Sequence, residues 1–305
     1  MRTDAKHDLT VVIPTFNRTQ ELVRALDSLV AQTDADFEVI VCDDGSSEDI
    51  AAAIQHFHNR LRLQLLRIDN SGGPARPRNV ATKAATTRWI SYLDSDDWWF
   101  PTSVVNVKKY LTDRWDIVYH PLRVERADRD TAANPPQGAE IGEPLRTDDP
   151  LLHMIRFGNP LATSGTTVRR ELMMAMGGFD ESRELASVED FDAWLRLAAN
   201  GARLNYIPEA LGAYWVGSDQ ISTFNARQFE RQRNLFRRQL ELLPSRYRGR
   251  ARSNFGYLLG SYALELGLPD AQVYFRDLSW THEPLRWLKA RVKLWRAHWA
   301  KAISL

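Results

Sequence analysis

Short apolar runs alternate with amphipathic segments throughout the N-terminal third of the chain. The runs have the length and the β-branched content of strands, and they cover residues 9–13, 37–41, 61–68 and 88–93. Between them apolar residues recur at helical spacing, most clearly at positions 22, 25, 26, 29 and 30, behind Asn17 as a candidate N-cap. Regular alternation of strand and helix predicts an α/β domain with a mostly parallel central sheet.

Polar residues follow each of the four predicted strands. These strand exits cover residues 14–17, 43–45, 70–73 and 94–97. In a parallel sheet all four exits lie at one edge, where open α/β sheets bind their ligands. The last exit carries the acids Asp94, Asp96 and Asp97, and carboxylate oxygens suit Mg²⁺ or Mn²⁺ ions that bridge to substrate phosphates. The pattern therefore favours one cleft that holds a nucleotide diphosphate and a divalent metal.

Each exit also has a purely structural interpretation. Asp96 or Asp97 can cap a helix in a solvated acidic turn, and Asp44 can do the same for the helix after the second strand. Pro14 can simply end a strand, and Arg78 can be a surface residue of a helix. The ordered occurrence of all four signals favours the ligand site over these separate explanations.

Composition and missing motifs exclude several classes of protein. The 305 residues are 44% hydrophobic with a net charge of +1, which fits a soluble globular protein and predicts no nucleic-acid partner. Neither a G-x-G-x-x-G sequence nor a Walker loop follows the first strand, which argues against a dinucleotide site. The single cysteine, Cys42, excludes an internal disulfide framework and is expected to be buried.

Four ordered segments closely resemble the motifs of the family 2 glycosyltransferases. They are residues 11–18 (VVIPTFNR), 41–46 (VCDDGS), 70–79 with its Ser-Gly-Gly and Arg-Asn, and 93–97 (LDSDD). Members of that family are inverting enzymes of the glycosyltransferase A fold, which move a sugar from a nucleotide diphosphate to an acceptor hydroxyl. The resemblance extends over residues 9–220 and implies this Rossmann-like fold and this activity.

The resemblance implies roles for the residues of the nucleotide pocket. The first exit would form the wall of the base and ribose pocket, through Pro14, Thr15, Phe16 and Asn17. Asp44 would accept a hydrogen bond from the base, as the corresponding acid does for uracil. The third exit would contribute Gly73 and Arg78, with Arg78 near the base or the diphosphate. The sequence departs from the family pattern at Pro74 and Pro77, which are expected to stiffen this loop.

The acidic exit is assigned to the donor sugar and the metal, again by resemblance. Asp94 and Asp96 would belong to the nucleotide-sugar site, and Asp96 and Asp97 would face the ribose and a Mn²⁺ or Mg²⁺ cofactor. Asp97 is the residue predicted to coordinate the ion directly.

A second pair of acids begins a predicted helix at residues 189–198. Acidic residues in a first turn commonly stabilise the helix dipole, and this explanation suffices for the pair taken alone. The resemblance instead implies that Asp190 is the catalytic base, with Glu189 beside it in the site. A base is needed because an acceptor hydroxyl is a poor nucleophile.

Two further segments remain open from the sequence. Residues 123–150 are charged and contain Pro and Gly, and they can form either a solvated hairpin or part of the acceptor site. Residues 214–222 resemble the closing loop of the family, without its frequent histidine. The chain also lacks the Gln/Arg-x-x-Arg-Trp motif of processive synthases, so a single transfer is expected.

The composition changes near residue 223, so we predict a catalytic domain over 1–222 and a helical region over 223–305. Three helices are expected, at 226–243, 248–266 and 284–301. The last is basic, rich in tryptophan and without acids. Such a helix can lie on anionic lipid or pack against the protein or a second copy. Packing is favoured because Trp287 and Leu294 fall off the main apolar face.

The expected activity is inverting transfer from a nucleotide-sugar donor, with UDP as the favoured nucleotide, in the synthesis of cell-surface polysaccharide or glycolipid. The acceptor is expected to be a saccharide or a lipid-linked saccharide. Nucleotidyl transfer and sugar-nucleotide binding without turnover are the alternatives. With neither a signal peptide nor an apolar run of membrane-spanning length, a cytoplasmic location is expected, with attachment to the inner face of the membrane as a variant.

Overall fold

The structure is a computed structural model that describes residues 8–127, 135–217, 225–268 and 271–303, with side chains as far as residue 296. Within these ranges the chain forms eleven strands. They are β1 (Leu9–Thr15), β2 (Glu38–Asp43), β3 (Leu63–Arg67), β4 (Trp89–Tyr92), β5 (Trp98–Trp99), β6 (Ile117–Tyr119), β7 (Leu122–Arg126), β8 (Glu140–Ile141), β9 (Thr166–Arg169), β10 (Leu204–Tyr206) and β11 (Gly212–Val216).

The described residues also form eleven α-helices. They are α1 (Thr19–Val30), α2 (Ile50–Ile54), α3 (Ala75–Ala84), α4 (Ser103–Lys108), α5 (Pro150–Phe157), α6 (Arg170–Ala175), α7 (Glu189–Ala199), α8 (Ala226–Leu242), α9 (Ser245–Glu265), α10 (Ala271–Tyr274) and α11 (Pro284–Ile303). None of these described helices is both long enough and apolar enough to cross a bilayer.

The central sheet has seven strands in the order β10-β6-β9-β4-β1-β2-β3. The four strands expected from the apolar runs are neighbours in it, and all three pairings among them are parallel. Thr15 lies opposite Asp43, and Asp43 lies opposite Arg67, so these strands end level at one edge. Only β9 runs against its neighbours, β4 and β6. The predicted mixed α/β class with a mostly parallel sheet is confirmed.

A second sheet of four strands, in the order β5-β11-β7-β8, was not predicted. Its first strand, β5, is only two residues long and directly follows the acidic exit of β4. It pairs antiparallel with β11, which is parallel to β7. Strands β7 and β8 of the segment 123–150 pair antiparallel, and residues 128–134 between them lie outside the described ranges. A role for part of this segment in the acceptor site stays a prediction.

Two local expectations were wrong. Asn17 does not cap α1, because its side-chain oxygen instead accepts hydrogen bonds from the backbone and hydroxyl of Ser47. The third helix begins at Ala75 rather than Arg78, so Pro77 lies inside its first turn instead of stiffening a loop. Proline is tolerated there because the amides of a first turn have no partner within the helix.

The chain divides into two compact units. One consists of Met1–Pro150 and Asn159–Gln220, and it contains both sheets. The other consists of Leu151–Gly158 and Ile221–Leu305. The separate domains 1–222 and 223–305 stay a prediction, and by compactness residues 151–158 group with the C-terminal helices.

Candidate active site

The acidic exit of β4 forms a tight turn in which the three acids have different surroundings. The backbone N–H of Asp97 donates to the carbonyl of Asp94 and closes the turn. Asp97 is 2% exposed, and its two carboxylate oxygens accept hydrogen bonds from Ser164 Oγ at 2.5 Å and from the backbone N–H of Trp215 at 2.9 Å. Burial and the neighbouring Asp96 and Asp94 raise the pKa of Asp97 well above its usual value. This environment does not favour Asp97 as a direct metal ligand.

The other two acids keep more contact with solvent and are each paired with an arginine. The side chain of Asp94 is 32% exposed and lies 2.5 Å from Nη2 of Arg78. The side chain of Asp96 is 23% exposed and pairs with Nη1 of Arg18, from the end of the β1 exit. Burial raises the pKa of Asp96 although Arg18 opposes the shift. Asp94 and Asp96 are therefore the carboxylates that a ligand at this edge could meet.

Arg24 fixes the acidic turn to the second sheet. Its guanidinium lies 4.5 Å from the ring centre of Trp98 and 4.6 Å from that of Trp215, which are on the paired strands β5 and β11. It also donates to the carbonyl of Asp96 at 2.6 Å. One arginine of α1 thus joins the turn to β11, the strand whose backbone N–H reaches Asp97.

The exits of β1 and β2 form the wall expected to receive the nucleotide base. Asp44 is 3% exposed, and its two oxygens accept from the backbone N–H of Ser71 at 2.9 Å and from its hydroxyl at 3.0 Å. The Thr15 hydroxyl is buried and has no hydrogen-bond partner in the part of the chain that the structure describes, which is unusual for a polar atom in a folded protein. Phe16 is 44% exposed beside it, whereas Pro14 is buried as part of β1.

Gly45 allows these two exits to meet the third. Its φ is +79°, and a Cβ at this position would lie 2.8 Å from the backbone nitrogen of Asn70. Any other residue would push the β2 exit away from the loop that carries Ser71. Beyond that loop, Gly73 lines a cleft between residues 71–76 and 180–186.

The second pair of acids begins α7, as predicted. One oxygen of Asp190 accepts from Thr163 Oγ1 at 2.9 Å and from the amide of Asn159 at 3.4 Å, and the other accepts from the backbone N–H of Phe191. Burial and the adjacent Glu189 raise the pKa of Asp190 to about 6, although Arg78 opposes the shift. A carboxyl with this pKa is largely ionised at neutral pH and can still accept a proton.

Arg78 joins the two acidic centres. Its Nη1 lies 2.7 Å from Glu189 and its Nη2 lies 2.5 Å from Asp94, and the guanidinium also lies over the Phe179 ring. Burial alone would lower the pKa of Arg78, but the pairs with Asp94 and Glu189 raise it above its usual value. At 3% exposed, Arg78 faces carboxylates of the protein, so the structure does not favour its predicted contact with the base or the diphosphate.

Asn79 joins α3 to the chain just before α7 through hydrogen bonds to the backbone. Its side chain donates to the carbonyl of Phe179 at 2.8 Å and accepts from the N–H of Phe179 at 2.8 Å. Phe179 in turn packs edge-on against Tyr92 of β4 and Trp194 of α7. This aromatic contact brings the start of α7 to the end of β4, where Glu189 meets Arg78.

The carboxylate oxygens at this edge suit a divalent ion that takes its remaining ligands from a substrate. In the described part of the chain, no three His, Cys, Asp or Glu side chains are grouped to hold a metal. Asp94 and Asp96 nevertheless offer hard oxygen atoms on partly exposed side chains. Because Mg²⁺ is often held by one or two carboxylates together with substrate phosphates, two such groups are sufficient.

Sequence reasoning assigned no role to several residues of this site. Arg18 and Arg24 pair with atoms more than seventy positions away in the chain, and charge alone does not identify such partners. Thr163 and Ser164 lie in a short 3₁₀ turn just before β9. Trp215 acts through its backbone N–H, which every non-proline residue carries, so its side chain gave no signal.

Comparison with known proteins gives a family match. The model of glycosyl transferase family 2 matches residues 10–173, which is just over half of the chain. An uncharacterized glycosyltransferase of Haemophilus influenzae is 28% identical over 192 residues, or 62% of this chain and 61% of that protein. The chain thus spans less than two thirds of the length of this curated relative.

Two relatives with more specific names match as well. The UDP-Glc:alpha-D-GlcNAc-diphosphoundecaprenol beta-1,3-glucosyltransferase WfaP of Escherichia coli is 23% identical over 75% of this chain and 85% of its own length. The poly(ribitol-phosphate) beta-N-acetylglucosaminyltransferase TarS of Staphylococcus aureus is 37% identical over 92 residues, which are 29% of this chain and 16% of that protein.

Solved structures show the same architecture. Residues 1–349 of S. aureus TarS, in complex with UDP-GlcNAc, superpose with a TM-score of 0.69 at 20% identity, covering 94% of this chain and 88% of that chain. The mannosyltransferase PcManGT of Pyrobaculum calidifontis, in complex with GDP-Man and Mn²⁺, gives a TM-score of 0.60 at 18% identity, covering 96% and 88%. At these identities the likeness concerns the fold, and it confirms the expected glycosyltransferase A architecture with a helical C-terminal region.

Proposed function

Because the chain belongs to glycosyl transferase family 2, we propose that it transfers a sugar from a UDP-sugar to an acceptor hydroxyl with inversion at the anomeric carbon. The choice of UDP is supported by the UDP-glucose in the name of WfaP and by the UDP-GlcNAc complex of TarS. The acceptor in this proposal is a saccharide or a lipid-linked saccharide, in line with the diphosphoundecaprenol acceptor named for WfaP.

The observation that carries the proposal is the bridge made by Arg78. It binds Asp94 at the end of β4 and Glu189 at the start of α7. Two acidic centres that are far apart in the chain are thereby held on either side of one buried cation. An inverting transfer needs one acidic group near the diphosphate and a separate carboxylate near the attacking hydroxyl.

In this proposal Asp190 is the general base. It accepts the proton of the acceptor hydroxyl as that oxygen forms a bond to the anomeric carbon, and the bond from this carbon to the diphosphate oxygen breaks. Thr163 and Asn159 orient one oxygen of Asp190 through their hydrogen bonds. The buried Oε2 of Glu189, which has no hydrogen-bond partner among the described residues, would accept from a substrate hydroxyl in this proposal.

Asp94 and Asp96 are the residues that would hold Mn²⁺ or Mg²⁺, with Asp97 supporting the turn behind them. When bound, such an ion stabilises the negative charge that develops on the leaving diphosphate. The Thr15 hydroxyl, Asp44 and the exposed ring of Phe16 would surround the uracil and ribose, and Gly73 would lie beside the donor. Asn17 would support this wall through its bonds to Ser47.

A panel of radiolabelled UDP-sugars, with and without EDTA, tests the proposal. We expect one UDP-sugar to be transferred or slowly hydrolysed, and the reaction to stop when EDTA removes the divalent ion. Binding of a UDP-sugar without any turnover would indicate a binding protein instead. Release of pyrophosphate from a nucleoside triphosphate would indicate nucleotidyl transfer.

A further inference from the structure

Helix α11 packs on the C-terminal unit through a narrow face. Ala290 is 3% exposed, and Trp287 and Leu294 lie beside it against a cluster formed by Phe275 and Leu278. Before α11 begins, Glu283 is buried and paired with Arg156 at 2.9 Å. The helix is therefore attached through the side that carries its fewer apolar residues, the opposite of what its sequence pattern suggests.

The larger apolar face of α11 points to solvent. Its members are 73%, 52%, 43% and 61% exposed, in the order Leu285, Leu288, Val292 and Trp295. At about 100° per residue, these four positions share an arc of roughly 80° on the side opposite Ala290 and Leu294. We call these four residues the α11 stripe. Four large apolar side chains in one row on an exposed helix indicate a binding surface.

Positive charge borders the α11 stripe on both sides. Lys289 and Arg296 are exposed next to one border, and Arg291 is exposed next to the other. The helix contains no aspartate or glutamate. An apolar stripe that includes tryptophan and is flanked by cations has the composition of helices that lie in the interface of an anionic bilayer.

A second copy of the chain fits this surface less well. A two-fold contact through the α11 stripe would place each basic border against the same face of the partner helix. The helix has no acid to compensate these charges, and Glu283 just before it is already buried with Arg156. Lipid headgroups with negative charge provide the missing compensation.

We propose that the α11 stripe docks the protein on the surface of an anionic lipid bilayer, with α11 parallel to the membrane plane. The aliphatic and indole side chains would enter the boundary between headgroups and acyl chains, and Lys289, Arg291 and Arg296 would meet the phosphates. This attachment is independent of the proposed transfer reaction, because it uses other residues and is measured without substrates.

Flotation with lipid vesicles tests the proposal on the full chain. We expect the protein to float with vesicles of phosphatidylcholine and phosphatidylglycerol at low salt, and to remain unbound with phosphatidylcholine alone. Replacing both Leu288 and Trp295 by serine should weaken binding on the order of a hundredfold, because two buried apolar side chains are lost. Replacing Lys289 and Arg296 by glutamate should weaken it roughly tenfold or more.

Matched controls come from the same unit. Leu242 is 54% exposed on α8 and Arg237 is exposed on the same helix, so Leu242→Ser and Arg237→Glu change similar groups away from the α11 stripe. Both should bind vesicles like the unmodified protein, and circular dichroism should show every variant folded. If the protein does not float with anionic vesicles, the proposal is overturned. Lipid-free dimers that dissociate in the Leu288→Ser, Trp295→Ser variant would also overturn it, by showing a subunit interface.

Discussion

At the scale of single residues, the surroundings of Asp190 would let this carboxyl act as the proposed base near neutral pH. Its neighbour Glu189 and its burial raise its pKa to about 6, while Arg78 limits the shift. Asp192, two positions further along α7, is fully buried and pairs with Arg196 at 2.7 Å. The same helix turn thus presents a carboxylate oriented by neutral hydrogen bonds and another held in an ion pair.

Replacing Asp190 by asparagine should lower turnover by roughly a hundred- to ten-thousand-fold while UDP binding changes little, because a base is lost and the donor wall is intact. Steady-state kinetics and calorimetric titration with UDP measure the two effects. Asp192→Asn is the control, and it should lower stability by about 1–3 kcal/mol with turnover within a few-fold. Near-normal turnover of Asp190→Asn would reject Asp190 as the base.

The pH dependence of turnover should follow the ionisation of Asp190. The base must be deprotonated, so kcat/KM, which reports the free enzyme, should rise with pH and reach half its maximum near pH 6. Because the negative charge of Glu189 raises this pKa, Glu189→Gln should move the acidic limb to lower pH, whatever it does to the maximal rate. A limb that stays in place or moves to higher pH would contradict the assignment.

Binding of Mn²⁺ should depend on the nucleotide, because two carboxylates are too few to hold the ion without phosphate oxygens. Calorimetry should detect weak binding of Mn²⁺ alone and much tighter binding in the presence of UDP. Asp96→Asn should weaken the second, whereas Asp97→Asn should mainly lower the unfolding temperature, since Asp97 is bonded to Ser164 and Trp215. The reverse pattern would support Asp97 as the direct ligand, as the family resemblance implies.

At the scale of elements, α3 connects the end of β4 to the start of α7. Its first turn supplies Arg78 to two carboxylates, and the next residue, Asn79, bonds to the backbone of Phe179. Removing one member of a buried charge network leaves the others unpaired in a medium of low polarity. The loss of stability from leaving these charges unpaired is larger than the contribution of an exposed ion pair to the free energy of unfolding.

Arg78→Met should therefore destabilise the protein by about 3–5 kcal/mol, because Asp94 and Glu189 would lose their buried partner. Denaturant unfolding measures this difference. Arg76→Met is the matched control, since Arg76 is exposed on the same turn of α3 and its removal should change stability by less than about 0.5 kcal/mol. Equal effects of the two substitutions would show that the bridge contributes little.

Elements with a local signal were predictable from the sequence, and those without one were not. The apolar runs mark β1 to β4, and the polar exits at Thr15 and Asp43 predict the sheet edge where a ligand is expected. The two-residue strand β5 is too short to have a period, and the direction of β9 depends on a chain reversal that no local pattern encodes. Glu189 could not be identified as the partner of Arg78 for the same reason, because the two residues are 111 positions apart and no local pattern connects them.

At the scale of the whole molecule, α5 groups with the C-terminal unit although residues 159–220, which follow it in the sequence, belong to the other unit. Leu151 is 2%, Met154 1% and Ile155 0% exposed, and Arg156 pairs with Glu283 of the C-terminal unit. Sequence reasoning placed this segment in the catalytic domain because the composition changes only after it. The change in composition shows where the C-terminal helices begin. It does not show which earlier helix groups with them.

A fragment of residues 1–222 should consequently be less stable and more prone to aggregate than the full chain. It retains α5 but lacks Glu283 and the rest of the helices that group with α5, so apolar side chains of α5 would be exposed. Thermal unfolding and light scattering of the two proteins measure the difference. A fragment that stays monomeric and unfolds at the temperature of the full chain would show that the boundary at residue 222 separates independent domains.

The placement of α5 also affects the protein while it is being made. Residues 151–158 leave the ribosome long before the helices from Ala226 onward that complete their unit. At typical rates of synthesis that interval is on the order of ten seconds, during which the nascent chain holds an apolar helix without its final surroundings. Newly made chains should thus pass through a stage that chaperones can bind, and this stage should end as the C-terminal helices of the same unit emerge and fold.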